Sequence, residues 1–155
     1  MNSYLQEHNV GARLTAQAGG GVSATAGGAG DNTKADGLWL DRSRYGSAKL
    51  VIHYRATLAA AATLSLQANL RDAVDGAGAG ANAFGAAMAS KVVATGPGGG
   101  GTVRGVVELD YDLNGARQFV QAQFTPDLSA ANTDTCQIEA VWVFGTKSLG
   151  SQSAV

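Results

Sequence analysis

Five stretches of this chain alternate apolar and polar residues with a period of two, between Leu50 and Phe144. Side chains on a β-strand point to opposite faces in turn, so each stretch predicts a strand with one buried and one solvated face. In chain order the apolar positions are Leu50, Ile52, Tyr54, Ala56, Leu58, Leu64, Leu66, Ala68, Leu70, Val107, Leu109, Tyr111, Leu113, Val120, Ala122, Phe124, Cys136, Ile138, Ala140, Trp142 and Phe144. Strands of this kind, joined by glycine-rich turns, predict an all-β protein with an antiparallel β-sandwich or jelly-roll fold.

Turn-forming residues divide this region into six predicted strands. They cover residues 48–58, 64–71, 91–95, 102–113, 117–124 and 136–146. The Asn114-Gly115 dipeptide is typical of a type I′ hairpin, so the strands before and after it are expected to pair directly. Thr125-Pro126-Asp127 is expected to end the fifth strand. Residues 84–90 are expected to form a helical turn or an irregular crossing.

Glycine and alanine dominate the first 37 residues, which include Gly19-Gly20-Gly21 and Ala26-Gly27-Gly28-Ala29-Gly30. Ordering such a backbone costs much conformational entropy, so a partner is expected to help order it. We therefore predict an extended N-terminal arm at 1–37, including one or two short edge strands. A jelly-roll domain follows at 38–146, and a flexible C-terminal tail at 147–155.

Charged residues make up only 15% of the chain, and the net charge is −1. Charged groups are depleted in the cores of interfaces, so this composition favours a surface that becomes covered, although a genome-wide bias toward alanine and glycine explains it equally well. Arg42, Arg44 and Lys49 are interleaved with Asp41 and apolar residues, so no direct nucleic-acid binding is expected. The sequence has no membrane-length apolar run and no secretory signal, which predicts synthesis in a reducing cytoplasm.

The cysteine, the histidines and the first acidic pair form no recognisable reactive group. Cys136 lies on the inward side of the last predicted strand, and neither His8 nor His53 is placed beside it. It is therefore predicted to be a buried core residue rather than a nucleophile. Asp72 and Asp75 are too few for a calcium site and are predicted to be solvated at a loop tip.

The remaining acidic and aromatic residues also favour a structural interpretation. Glu108, Asp110 and Asp112 share the solvated face of one strand, where they are expected to be surface charges or a device against edge pairing. Trp39 and Trp142 are predicted to anchor the core. The glycine-rich loops lack the Gly-Lys-Ser/Thr of a phosphate loop. We predict a protein that is not an enzyme and has no catalytic residue, cofactor or metal.

Several segments, taken in order, resemble a known family of virus proteins. They are Trp39-Leu40-Asp41-Arg42, Leu70-Arg71-Asp72-Ala73-Val74-Asp75-Gly76, Val107-Glu108-Leu109-Asp110-Tyr111, the run from Arg117 to Pro126, and the run from Ile138 to Gly145. Together they resemble the jelly-roll cement or decoration proteins of tailed bacteriophages, which sit on shells of the HK97 type. The resemblance covers roughly Leu38 to Gly145.

This resemblance implies a jelly-roll domain on the exterior of a virion. It implies that the protein binds the outer surface of the major capsid protein and bridges neighbouring subunits. It also implies self-association, as a homodimer or homotrimer at a local symmetry axis. The predicted apolar anchors on the shell are Tyr4, Leu5, Val10 and Leu14. Alternative interpretations are a head-completion, connector or tail-tube component of a virion, or a carbohydrate-binding jelly-roll module.

Overall fold

The computed structural model describes residues 14–129 and 133–145. Within these residues the chain forms nine strands in two sheets. The strands are β1 (Thr15–Thr25), β2 (Ala35–Asp36), β3 (Leu40–Asp41), β4 (Ser47–Leu58), β5 (Thr63–Ala73), β6 (Asn82–Thr95), β7 (Gly101–Asp112), β8 (Phe119–Leu128) and β9 (Thr135–Phe144). None of the described residues belongs to a helix long and apolar enough to cross a membrane.

The strands pair in a nested order. β5 pairs with β6, β4 with β7, β2 and β3 with β8, and β1 with β9, all antiparallel. One sheet has the order β1-β9-β4-β7, and the other has the order β2-β8-β5-β6 with β3 also on β8. A chain folded back on itself in this way is a jelly roll, so the predicted all-β sandwich is confirmed.

The core lies between the two sheets and is built from the inward positions of the alternating strands. On β5 every second residue from Leu64 to Leu70 is buried. Trp142 and Phe144 of β9 are fully buried, with ring centroids 5.8 Å apart. Burying a large apolar side chain stabilises the fold by roughly 1.5–3 kcal/mol, so these faces hold the two sheets together.

Residues 84–90 belong to a strand, and the expected helical turn or irregular crossing is wrong. They lie in β6, which has 14 residues and forms one edge of its sheet. Half of its 14 residues are alanine, glycine or serine, so the sequence has no clear alternation from which to recognise a strand. Its pairing with β5 is interrupted by three register shifts, which bend the strand and blur the period further.

The strands on either side of Asn114-Gly115 do not pair with each other, and the predicted hairpin is wrong. β7 pairs with β4, and β8 pairs with β5 in the opposite sheet. Gly115 has a φ of 89°, and the Ala116 N–H donates to the Leu113 carbonyl at 3.0 Å. Asn114 is not among the described residues with positive φ, as a type I′ turn would require. The turn instead carries the chain from one sheet to the other.

β8 continues through Pro126 to Leu128, although the proline was expected to end it. The Pro126 carbonyl accepts a hydrogen bond from the Asn32 N–H at 2.8 Å, on the side of β8 away from β5. The N–H and the C=O of a strand residue point to the same side, so the donor that proline lacks faces Asn32 rather than β5. The ladder between β5 and β8 therefore loses no hydrogen bond.

Part of the segment expected to be an arm lies in the sandwich. β1 pairs with β9 from Thr15 to Thr25, with one irregularity between Ala18 and Gly20. Gly20 has a φ of 93°, and the backbone of Gly37 lies close to it, so a side chain there would be strained and crowded. Residues 1–13 and the expected tail at 147–155 lie outside the described residues.

Tyr54 links the two sheets at the edge formed by β6 and β7. Its hydroxyl donates to the Val93 carbonyl at 2.6 Å, and its ring occupies the space that a Cβ at Gly105 would need. We expect Gly105→Ala to lower the free energy of unfolding by about 1–3 kcal/mol, because Tyr54 must move. Gly98→Ala is the control, since nothing lies within 4 Å of that site. Equal urea midpoints for the two variants would contradict this.

Candidate interaction surfaces

Asp72 is buried in an ion pair with Arg117, so its predicted position at a solvated loop tip is wrong. The guanidinium donates to Asp72 Oδ1 at 2.7 and 3.0 Å, and the Arg117 backbone N–H donates to Oδ2 at 2.9 Å. Burial by itself would raise the pKa of this carboxyl, but the hydrogen bonds and charge of Arg117 outweigh it and lower the pKa below its ordinary value.

The same guanidinium also fastens the loop between β5 and β6. It donates to the Gly80 carbonyl at 2.6 Å, while the exposed Asp75 accepts from the backbone N–H groups of Ala77 and Ala79 at 2.9 Å each. Both carboxylates therefore have structural partners. Within residues 14–129 and 133–145 no three His, Cys, Asp or Glu side chains are grouped as metal ligands.

The cysteine and one of the two tryptophans lie where the sequence predicts. Cys136 is buried, and burial raises the pKa of its thiol to about 11, so it stays protonated at neutral pH. Trp142 is fully buried. The prediction for Trp39 is wrong, because this side chain lies outside the core against Gly78, with the Arg71 guanidinium 5.8 Å from its ring centroid.

One of the four predicted anchors can be placed in the fold. Tyr4, Leu5 and Val10 lie outside the described residues. Leu14 directly precedes β1 and is 43% exposed. It lines an open depression of about 670 Å³ together with Val143 of β9 and residues of the β4 and β7 ends. Leu14 therefore adds an apolar side chain to the outer surface of the sheet that contains β1 and β9.

One end of the β1–β9 pair carries small and apolar side chains on its outer side, up to the exposed Glu139 opposite Gly21, and we refer to this end as the β1–β9 shelf. Its residues are Ala16, Ala18 and Gly21 of β1, which are exposed, and Val141 and Val143 of β9, which are half-buried. The solvated face of an antiparallel sheet is normally polar, so these residues stand out. Their outward position on β9 follows from the alternation in the sequence, but the contribution of β1 does not.

Opposite charges are separated along the edge strand β7. Glu108, Asp110 and Asp112 are exposed, as predicted, and the ammonium of Lys49 on β4 lies 3.0 Å from Glu108 and 2.9 Å from Asp110. The hydrogen bond to Asp110, followed by that to Glu108, raises the pKa of Lys49. Exposed pairs of this kind contribute little to stability, so they matter mainly for the charge of the surface.

Two arginines face each other at the other end of the same surface. Arg55 of β4 and Arg104 of β7 are direct cross-strand partners, and both are exposed. Among the described residues neither has a carboxylate within salt-bridge distance. They line a shallow depression of about 420 Å³ with His53 and Val106. Like charges directly opposite each other destabilise a sheet, so this pair has no evident role in folding.

The outer side of the sheet with the order β2-β8-β5-β6 is polar and partly covered. Gln121 and Gln123 of β8 are buried, and their amides donate to the Gly37 carbonyl at 3.0 Å and to Asp36 Oδ1 at 2.5 Å. Arg71 lies 3.7 Å from the other oxygen of Asp36. This network holds the segment around β2 onto the sheet, and the Arg71 guanidinium also lies over the Trp39 ring.

Comparisons with known proteins give no family. No family profile matches this sequence, and no curated protein matches it. Solved structures with some similarity include infectious bursal disease virus strain Gt, with 12% identity and a TM-score of 0.43, and strain Gx, with 11% identity and a TM-score of 0.40. The VP2 subviral particle of the same virus has 11% identity and a TM-score of 0.44.

The matched regions cover most of this chain but a minority of the others. They include 86–89% of this chain and 33–37% of the viral chains, so this chain spans about a third of their length. With TM-scores of 0.40–0.44, the similarity identifies neither a family nor a function.

Proposed function

We propose that this chain is a structural protein of a virion, namely a decoration protein that binds the outer surface of a capsid shell and bridges neighbouring subunits. The order of its sequence segments resembles that of bacteriophage cement proteins, and its strands have the jelly-roll order. The observation that carries the proposal is the β1–β9 shelf. The five side chains of the shelf carry no charge, and small and apolar side chains of this kind suit burial against another protein.

The shelf and the N-terminal segment form one continuous binding surface in this proposal. Leu14 leads directly into β1, and its side chain lies beside Val143 at the end of the shelf. Tyr4, Leu5 and Val10 would extend the apolar contact beyond the sandwich. The shell protein would cover Ala18 and Val141, which are adjacent across β1 and β9.

A charge placed on the shelf tests this surface. Ala18→Glu is expected to reduce the number of copies bound per particle at least tenfold, because a carboxylate would lose its hydration in the contact. Thr57→Glu is the matched control, since Thr57 lies on the outer face of the same sheet, away from the shelf. Both variants are added to particles that lack the protein, and bound copies are counted by quantitative mass spectrometry. Equal occupancy for the two variants would rule out the shelf as the contact.

Removal of the anchors tests the N-terminal segment. We expect deletion of residues 2–14 to lower occupancy on the particles at least tenfold and to reduce the heat resistance of the shell, because Tyr4, Leu5, Val10 and Leu14 are lost together. Deletion of residues 147–155 is the control and should leave both quantities unchanged. Unchanged occupancy after the N-terminal deletion would show that the anchors are not needed.

Other virion components remain alternatives that copy number distinguishes. A decoration protein occupies every equivalent position of a shell and is present in hundreds of copies, whereas a connector or a single tail ring has about six or twelve. Quantitative mass spectrometry of purified virions, scaled to the major capsid protein, separates these cases. A ratio near that of a single ring would replace the decoration proposal with a connector or tail role.

A second candidate function is carbohydrate binding, which the position of Trp39 favours. The Arg71 guanidinium lies over its half-buried ring, 5.8 Å from the centroid, and Asp36 is close to the same guanidinium. An aromatic ring flanked by charged hydrogen-bonding groups suits a sugar, whose apolar face stacks on the ring while its hydroxyls bind the charges. Binding on a glycan array that Trp39→Ala abolishes would support this function, and an array without binding would count against it.

A further inference from the structure

The edge strand β7 is open on one side along its whole length. It pairs with β4 from Gly101 to Asp112, and the described part of the chain contains no strand on its other side. An open edge presents a row of free backbone N–H and C=O groups that a second strand can pair with. Proteins usually protect such edges with charges, and the charges on β7 have an unusual arrangement.

Two of the outward charges of β7, Arg104 and Glu108, are opposite in sign and equidistant from Val106. Arg104 lies two residues before Val106 and Glu108 lies two residues after it, all on the same face. Val106 is itself 49% exposed. If two copies of β7 pair antiparallel with Val106 opposite Val106, Arg104 of each copy lies opposite Glu108 of the partner subunit. Thr102 then lies opposite Asp110 of the partner subunit.

This pairing also resolves the contact between like charges within one chain. Within one copy, Arg104 lies opposite Arg55 of β4 and has no carboxylate within salt-bridge distance among the described residues. In the proposed dimer, the carboxylate of Glu108 of the partner subunit lies opposite Arg104 across the open edge. Glu108 already pairs with Lys49 of β4 and would gain Arg104 of the partner subunit as a second cation. Opposite charges directly across a sheet stabilise the pairing of strands.

We propose that the protein forms a twofold-symmetric dimer in which two copies of β7 pair antiparallel about Val106. The two four-stranded sheets then continue as one sheet of eight strands. The contact is isologous, because the same strand supplies both sides. This proposal rests on the edge and its charges, and it does not depend on the function proposed above.

The proposed dimer places the outer faces of both copies on the same side. The twofold axis between two antiparallel strands runs perpendicular to the sheet, so the outer faces of both copies point to the same side. A dimer would therefore present two β1–β9 shelves toward one surface. If the shelf binds a shell, each dimer would contact two sites at once, which raises the overall affinity without any new contact.

A single cysteine at the proposed axis tests the register. We expect Val106→Cys to give a covalent dimer with a short thiol-specific crosslinker, because the two side chains lie opposite each other. Thr102→Cys is the matched control on the same strand and face, since its two copies would lie about 27 Å apart. The unchanged protein is the blank, because Cys136 is buried. Crosslinking of Thr102→Cys that equals or exceeds that of Val106→Cys would overturn the proposed register.

A charge exchange tests the contact itself by sedimentation equilibrium. Arg104→Glu places two carboxylates together at each end of the contact and is expected to weaken the dimer at least tenfold. The double variant with Arg104→Glu and Glu108→Arg restores opposite charges and should regain the dimer. Circular dichroism checks that all variants are folded. The proposal fails if the unchanged protein has the mass of a monomer or a trimer, or if Arg104→Glu leaves the dimer as strong as before.

Discussion

Replacing Trp142 with alanine is expected to lower the free energy of unfolding by about 3–5 kcal/mol, the range for large aromatic side chains in cores. The indole is fully buried and lies 5.8 Å, between ring centroids, from both Tyr111 and Phe144. Neighbouring side chains cannot fill the space it leaves, because the strands on both sides hold it open. The midpoint and slope of urea unfolding measure the loss.

Trp39→Ala is the matched control for this variant. Trp39 is the same residue type, but it lies outside the core against Gly78 and near Arg71. Removing its side chain leaves no cavity between the sheets, so the free energy of unfolding is expected to fall by about 1 kcal/mol or less. Equal losses for Trp39→Ala and Trp142→Ala would contradict the assignment of only one tryptophan to the core.

Replacing Asp72 with asparagine is expected to destabilise the fold by about 3 kcal/mol at neutral pH, near the lower limit for breaking a buried ion pair. The carboxylate is buried, whereas the Arg117 side chain is 32% exposed and can recover part of its hydration. Asp75→Asn is the control in the same loop. Its side chain is exposed and keeps an oxygen acceptor, so its unfolding free energy should change by less than about 0.5 kcal/mol.

The effect of Asp72 should depend on pH with a definite sign. Its pKa in the folded protein lies below the ordinary value of 3.8, so the charged form is favoured by folding. The stabilisation is therefore fully present above the ordinary pKa and is lost as the pH falls through the folded value. Unfolding curves between neutral pH and about pH 3 should show the unfolding free energies of the unchanged protein and of Asp72→Asn converging as Asp72 becomes protonated. A constant difference over this range would contradict the ion pair.

The alternating strands could be predicted from the sequence because each has large apolar residues on one side. β4, β5 and β9 have this pattern, and the structure places each within a few residues of its prediction. Only the end of β6, at 91–95, could be recognised, since the alanine and glycine residues before it fit a strand, a turn or a loop equally well. The period of two reports burial, and a strand made of small residues at an edge buries little.

The pairing of the strands was harder to predict than their positions. Asn114-Gly115 fits a hairpin by local preference, but β7 and β8 each bury their apolar face against the same core from opposite sides. That arrangement requires the two strands to lie in different sheets, and a local motif cannot reveal it.

The candidate surfaces depend on contacts between strands that are distant in sequence. Arg55 and Arg104 are 49 positions apart, and nothing near either residue indicates that they meet. The shelf requires the same knowledge, because the outward residues of β1 gain meaning only beside Val141 and Val143. The sequence indicated which faces are solvated, but it did not indicate which solvated residues lie together.

The most direct test of the proposed function is an electron cryo-microscopy reconstruction of virions that contain this chain. We predict density for the two-sheet sandwich on the outside of the shell, repeated at equivalent positions, with the β1–β9 shelf facing the shell. A reconstruction of virions that contain the protein but show it only in a single ring at the portal or tail would contradict the account.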